Sequence, residues 1–301
     1  MKTDKLAKAF RIDDGDKFRL KDVDPADTCG MDIDKDDAKA MIADGVKKLG
    51  KLQEKLYAQD RWAVLAIFQA MDAAGKDGAI EHVMSGINPQ GCQVFSFKAP
   101  SAHELDHDYL WRTTACLPER GRIGIFNRSY YEEVLVVRAH PEILARQKLP
   151  PELVTKDIWD ERYKDIRAFE RYLARNGTVV LKFMLHVSKD EQRRRFIERI
   201  EDPAKNWKFS MGDVGERKLW DTYMEAYEDM VRNTSRERAP WYVVPADNKW
   251  FTRLVVVNAM VDALEKLDLQ FPKLDEAARA DLEKAKSILM PDAAMTRKGK
   301  T

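Results

Sequence analysis

The chain has almost no net charge: 52 lysine and arginine residues stand against 51 aspartate and glutamate residues, leaving +1 at neutral pH. Nucleic-acid binders ordinarily carry a global positive field, and none exists here, so any polyanionic partner must be met by local basic clusters. Cysteine is scarce. Cys29, Cys92 and Cys116 are odd in number and far apart, which gives neither a disulfide framework nor the close pairs of a zinc site. Long apolar runs are also missing. No segment is long enough to cross a bilayer, and residues 1–20 are studded with Lys, Asp and Arg where a secretion signal would have an apolar core. These absences predict a cytoplasmic, folded protein with neither a membrane nor a nucleic acid as partner.

What is there is enough apolar residue to build a core. Of 301 residues, 44% are hydrophobic, sufficient for one large α/β domain or two small ones. Between residues 36 and 60, Ile42, Val46, Leu49, Leu52 and Leu56 recur at spacings of three and four, which predicts an amphipathic helix. Residues 62–68 (WAVLAIF) form an unbroken apolar run of strand length, suited to a central parallel strand buried on both faces. Further strands are expected at 93–97, 122–126, 178–187 and 241–245, and helices at 159–176, 190–201, 215–234 and 274–289. Alternation of strands with helices predicts an α/β fold with a five-stranded parallel sheet. The expected divisions are a charged, unpatterned extension at 1–35, a main domain at 36–270 and a helix with a tail at 271–301.

Directly after the first strand comes Asp72-Ala73-Ala74-Gly75-Lys76-Asp77-Gly78. A strand, a short glycine turn and a helix start put unpaired backbone N–H groups and the positive end of the helix dipole at one point, where an anion is stabilised. Lys76 adds a point charge. Against the phosphate-loop pattern G-x-x-x-x-G-K-S/T, Gly75 and Lys76 match, while Ala70 replaces the first glycine and Asp77 the hydroxyl that usually holds magnesium. Asp72 is the odd member. A carboxylate beside phosphates repels them unless a cation lies between or it takes a proton, so Asp72 reads as a metal ligand or a base. A second strand end, Asn127-Arg128-Ser129, has Asn where an acid is common. Arg128 there could fork onto a transferring phosphoryl group.

Five blocks occur in order along the chain: MDAAGKDG (71–78), SFKAPS (96–101), IFNRSYYEEVLVVR (125–138), DPAKNWKFS (202–210) and APWYVVPADNKW (239–250). Together, from about residue 35 to 270, they resemble the polyphosphate kinase 2 family. The resemblance implies a P-loop kinase-like, three-layer α/β/α fold with a helical lid insertion at about 190–235. It implies transfer of the terminal phosphoryl of inorganic polyphosphate to a nucleoside mono- or diphosphate, reversibly, with magnesium or manganese, in a homo-oligomer (dimer or tetramer). The spelling N-R-S-Y-Y-E-E looks like the subgroup that phosphorylates both AMP and ADP, with GMP and GDP as further candidates.

Residue by residue, the resemblance implies metal or nucleophile handling for Asp72 and phosphate binding for Lys76 and the loop residues Ala73, Ala74, Gly75, Asp77 and Gly78. Asn127 and Arg128 join the catalytic set, Arg138 and Lys98 contact polyphosphate, and Glu132 is the candidate for acceptor recognition. Across 193–208 six basic residues face three acidic ones, and Arg195 and Arg199 lie one turn apart on a helix. With Lys205 and Lys208 they are expected to grip the polyphosphate from the lid. The pair His103 and His107 lacks the glutamate and third ligand of a zinc motif and is set aside. Two other readings share the loop: an ATP-dependent nucleoside monophosphate kinase and a non-catalytic nucleotide switch.

Overall fold

A run of seven residues from Ala63 to Gln69 with every side chain buried requires neighbours on both edges and cover on both faces. The computed structural model, which describes residues 6–290, supplies both. In chain order the strands are β1 (Arg11–Asp14), β2 (Ala63–Gln69), β3 (Cys92–Ser96), β4 (Ile123–Asn127), β5 (Thr178–His186) and β6 (Arg236–Pro245). They form one mixed sheet in the order β1-β6-β5-β2-β4-β3. β2 lies at its centre, with Val64 opposite Ile123 of β4 and Val179 of β5.

The expectation of five parallel strands needs correction. β2 to β6 are parallel, but a sixth strand, β1, pairs antiparallel with β6 through Arg11–Tyr242 and Ile12–Trp241. β1 is only four residues long and reads RIDD, so it has no apolar alternation to betray it. A short charged strand is also what protects an open sheet edge. Around it, Leu6, Ala7, Phe10, Phe18 and Leu20 join the main core, so apolar residues scattered through the charged, unpatterned stretch pack against the sheet.

The helices in chain order are α1 (Lys35–Gln59), α2 (Lys76–Met84), four single turns α3 (Ala102–Leu105), α4 (Trp111–Thr114), α5 (Val136–Ala139) and α6 (Pro141–Leu144), then α7 (Ile158–Arg175), α8 (Lys189–Glu201), α9 (Met211–Glu216), α10 (Trp220–Thr234), α11 (Lys249–Glu265) and α12 (Glu276–Leu289). Asp34 caps α1 by accepting from the amides of Asp36 and Asp37, and the helix buries Val46, Leu49 and Leu56 while packing on α11. The single helix expected over 215–234 is instead α9, a tight turn at Arg217–Leu219, and α10. Arg217 fastens that turn by donating to the Lys189 carbonyl (2.6 Å) and the Gln192 amide oxygen (2.9 Å). α11 carries no expected element, because Leu254 to Val257 are buried on every face and show no helical period. Residues through Leu269 form one compact unit, which holds every site residue below. α12, capped by Asp275, belongs to a second unit beginning at Gln270.

Candidate active site

β2 ends at Gln69 and α2 begins at Lys76, so six residues must reverse the chain. Two of them use the left-handed region: Ala73 at φ 62° and Gly75 at φ 105°. Glycine takes that conformation without cost, whereas an alanine there is strained, and strain of this kind collects at ligand loops. The result is an N-terminus of α2 with no side-chain cap, leaving its first amides free to receive an anion.

Lys76 is buried and its ammonium donates to the carbonyls of Ala70 (2.7 Å) and Met71 (3.5 Å). Burial pushes its pKa down and Arg128 adds to this, against the opposing pull of Asp72, Glu132 and Asp77. From α8, Arg195 reaches the back of the loop. Its two terminal nitrogens donate to four carbonyls, Ala73 (3.2 Å), Ala74 (2.7 Å), Ala246 (2.6 Å) and Asp247 (3.1 Å), and Nε donates to Glu191 (2.6 Å). Arg195 is therefore a strut of the loop: its donors are taken up by protein, unlike the phosphate ligand its sequence context suggested. Gln192 adds a bond to the Asp72 carbonyl (3.0 Å).

The end of β4 lies beside the loop because the two strands are hydrogen-bonded neighbours, Phe68 opposite Asn127. Asn127 donates its amide to Asp77 (2.7 Å), joining the strand end to the first turn of α2. Arg128 turns into the left-handed region at φ 65°, with its amide on the Phe68 carbonyl (3.0 Å). That turn aims its guanidinium at two carboxylates, Asp72 at 2.6 Å and Glu132 at 3.2 Å. Burial works against the Arg128 charge, but Glu132 and Asp72 outweigh it and hold the group protonated beyond its usual range.

Glu132 and Arg128 stand on the wall of a cavity of about 280 Å³, which Lys98, Arg112, Tyr109 and Val137 also line. The Tyr109 hydroxyl on that wall is buried without a hydrogen-bond partner. Lys98 is exposed at the end of β3, where Arg112 donates to its carbonyl (2.7 Å). Gly78, in the first turn of α2, leaves ordinary contact distance to Arg253: a Cβ there would lie 3.7 Å from its guanidinium.

Other expected residues are held by partners of their own. Arg138 pairs with Asp229 (2.8 Å) and the Tyr163 hydroxyl (3.0 Å). Arg199 pairs loosely with Asp213 at 3.6 Å, while Lys205 is tied to Asp202 and Lys208 lies over the Trp207 ring, both exposed. α9 carries two carboxylates that the sequence did not mark, Asp213 and Glu216, and the first shares the field of the loop. Asp213 has its pKa raised by burial and then by the Asp72 charge, which places the two carboxylates in one field. Glu216 accepts from the Tyr223 hydroxyl (2.6 Å) and from His140 (3.0 Å). Neither belongs to a recognisable pattern, so only the fold reveals them.

Among the described residues no three His, Cys, Asp or Glu side chains converge as a metal cage. Asp72, partly exposed at the loop, with Asp77 beside Asn127, fits the different habit of magnesium at phosphates, one or two carboxylates with water and phosphate oxygens for the rest.

A left-handed turn presenting free amides, a buried lysine behind it and an arginine bridging to a neighbouring cavity define the class: an enzyme that transfers phosphoryl groups. Comparison with known proteins narrows it. The family described as Polyphosphate kinase 2 (PPK2) matches residues 32–272. The chain is 52% identical over 94% of its length to the ADP-polyphosphate phosphotransferase of Rhodopseudomonas palustris, covering 98% of that protein. It is 47% identical over 90% of its length to the AMP/ADP-polyphosphate phosphotransferase of Meiothermus ruber, covering 97% of it. The crystal structure of polyphosphate kinase 2 from Arthrobacter aurescens superposes with a TM-score of 0.84 at 42% identity, over 93% of this chain and 96% of that one. The chain belongs to the polyphosphate kinase 2 family.

Proposed function

We propose that this chain moves the terminal phosphoryl group of inorganic polyphosphate onto the phosphate of AMP or ADP, reversibly. The observation that carries the reading is Arg128. Its guanidinium joins Asp72 of the phosphate loop to Glu132 on the wall of the neighbouring cavity, so donor and acceptor sites meet at one cation. The names of the relatives at 52% and 47% identity supply the two substrates.

The polyphosphate end is received by the free amides at the start of α2, with the Lys76 charge held behind them in a buried position where it is little screened. Asp72 would hold magnesium, which would supply neutralisation of the charge that builds on the transferring group. Arg128 exchanges its carboxylate partners for phosphoryl oxygens and supplies a planar fork to the transition state. An acceptor phosphate is already ionised near neutral pH and needs no general base, so the work of the site is positioning and charge neutralisation. The 280 Å³ cavity takes the acceptor nucleotide, with Glu132 at its phosphate end and the unpartnered Tyr109 hydroxyl available to a polar edge of the base.

α8 to α10 form the lid over the site, carrying Arg199, Lys205 and Lys208 to the polyphosphate when it closes and excluding water from the transfer. The P-loop kinase-like arrangement and a homo-oligomeric state (dimer or tetramer) rest on the family resemblance, and a cytoplasmic setting on the sequence's shortage of long apolar runs. The test is product analysis by chromatography after separate incubations of AMP, ADP, GMP and GDP with polyphosphate and magnesium. Phosphorylation of AMP and ADP supports the reading; no product from any of the four overturns it.

A further inference from the structure

β5 reads TVVLKFMLH, and the one lysine in its apolar run, Lys182, is fully buried in the middle of the sheet opposite Ile67 of β2. An ammonium in that position is expensive unless every proton finds an acceptor. All three do. Lys182 donates to Glu170 of α7 (2.7 Å), to the Tyr131 hydroxyl (2.9 Å) and to the Thr234 carbonyl (2.9 Å). The rings of Tyr131 and Trp241 lie within cation–π range of it, at 5.4 and 5.2 Å.

Glu170 is buried too, and its second oxygen accepts from the hydroxyls of both Tyr130 (2.9 Å) and Tyr131 (2.6 Å). Those tyrosines occupy a fixed place in the chain. Arg128 lies two residues before Tyr130, and Glu132 directly follows Tyr131, within one short turn, Tyr130–Val134. The turn is closed at its start by Ser129, wholly buried, whose hydroxyl accepts from the Tyr131 amide (3.1 Å) and the Gln69 side chain (3.2 Å). One face of the segment therefore presents Arg128 and Glu132 to the site, and the other is bolted to a buried ion pair.

We infer that Glu170 and Lys182 are positioning residues for phosphoryl transfer, acting through Tyr130 and Tyr131 to hold Arg128 and Glu132 at their working angle. Stability alone is a poor account of the pair, because a well-packed apolar pair of the same volume commonly does as well or better. Position is a better one. Arg128 sits in a left-handed conformation that an arginine does not choose unaided, and its guanidinium must meet two carboxylates at once. Misplacing such a group by an ångström is enough to cost about a hundredfold in rate.

The inference rests on the proposed role of Arg128 in transfer, so the experiment has one readout that depends on turnover and one that does not. Tyr130→Phe and Tyr131→Phe each remove a single hydroxyl without disturbing packing, and Glu170→Gln with Lys182→Met removes the pair. Each is compared with Leu49→Ala, a core cavity in α1 remote from the site, all assayed well below their unfolding temperatures. For Tyr131→Phe the expected result is a fall in kcat of about tenfold with KM for ADP and polyphosphate held within about twofold. In parallel, the side-chain Nε–H NMR signal of Arg128, identified by its disappearance in Arg128→Lys, shifts or broadens in the tyrosine variants and stays put in Leu49→Ala. Unchanged kcat in both tyrosine variants, or a loss no greater than in Leu49→Ala, overturns the inference. An inactive wild type overturns the functional reading instead, and the Arg128 signal then decides alone: unmoved, it sinks the positioning role.

Discussion

Replacing Arg128 by alanine isolates the cation on which donor and acceptor sites converge. A unit charge about 4 Å from a phosphoryl oxygen is worth about 4 kcal/mol at an effective dielectric near 20. Each 1.36 kcal/mol is a factor of ten in rate, so the expected loss in kcat is about a thousandfold. One feature of the structure makes this a lower bound. Asp72 and Glu132, now bridged at 2.6 and 3.2 Å, would be left facing the incoming phosphates with no cation between them. The backbone at 128 is left-handed, and alanine bears that conformation at the same cost as arginine, so the substitution adds no new strain. Arg128→Lys keeps a charge but loses the planar fork, and is expected to fall between the two. The assay is ATP formation from ADP and polyphosphate at saturation, read by luciferase, with circular dichroism to confirm folding and added guanidinium to rescue the alanine variant. An Arg128→Ala enzyme keeping more than about a tenth of wild-type turnover would refute the reasoning.

Lys76→Met removes the buried charge behind the loop and is expected to lower kcat by about a thousandfold in the same assay with little change in urea midpoint, since its ammonium is paid only by two carbonyls. Arg195→Met withdraws the donors of four carbonyls, two in the loop and two just after β6, and should reduce the free energy of urea unfolding by about 3 kcal/mol, with turnover falling alongside; an unaltered midpoint would contradict its role as a strut. His140 has its pKa raised above the usual 6.5 by its hydrogen bond to Glu216, with burial opposing. A raised folded pKa contributes stability that is complete below 6.5 and lost as pH climbs through the raised value. Wild-type urea midpoints should therefore decline from pH 6.5 upward more steeply than those of His140→Gln, and identical slopes would count against the pair.

Local features were the legible ones. β2 announces itself because seven consecutive apolar or buried positions sit directly before the glycine turn, and the loop and the Asn127-Arg128 strand end are each contiguous in sequence. What escaped depends on partners brought from afar. Arg195 reads as one of a basic run, yet its acceptors are carbonyls more than a hundred residues earlier and some fifty later, which only the fold collects. Lys182 in a strand looks like an edge lysine until Glu170, on the helix before it, is seen to neutralise it. α11 is hidden for the opposite reason, since burial on all faces erases the period that marks a helix, and β1 because four residues, three of them charged, carry no pattern. Asp213 comes into the field of Asp72 from α9, most of which precedes the helix expected from residue 215.

The most direct test of the central claim is phosphorus NMR of the enzyme with polyphosphate, ADP and magnesium and no other phosphoryl donor. Growth of the ATP β-phosphate resonance as the polyphosphate signal declines is the predicted result. A silent spectrum, with nucleotide phosphorylation appearing only once ATP is supplied as donor to AMP, would contradict the account.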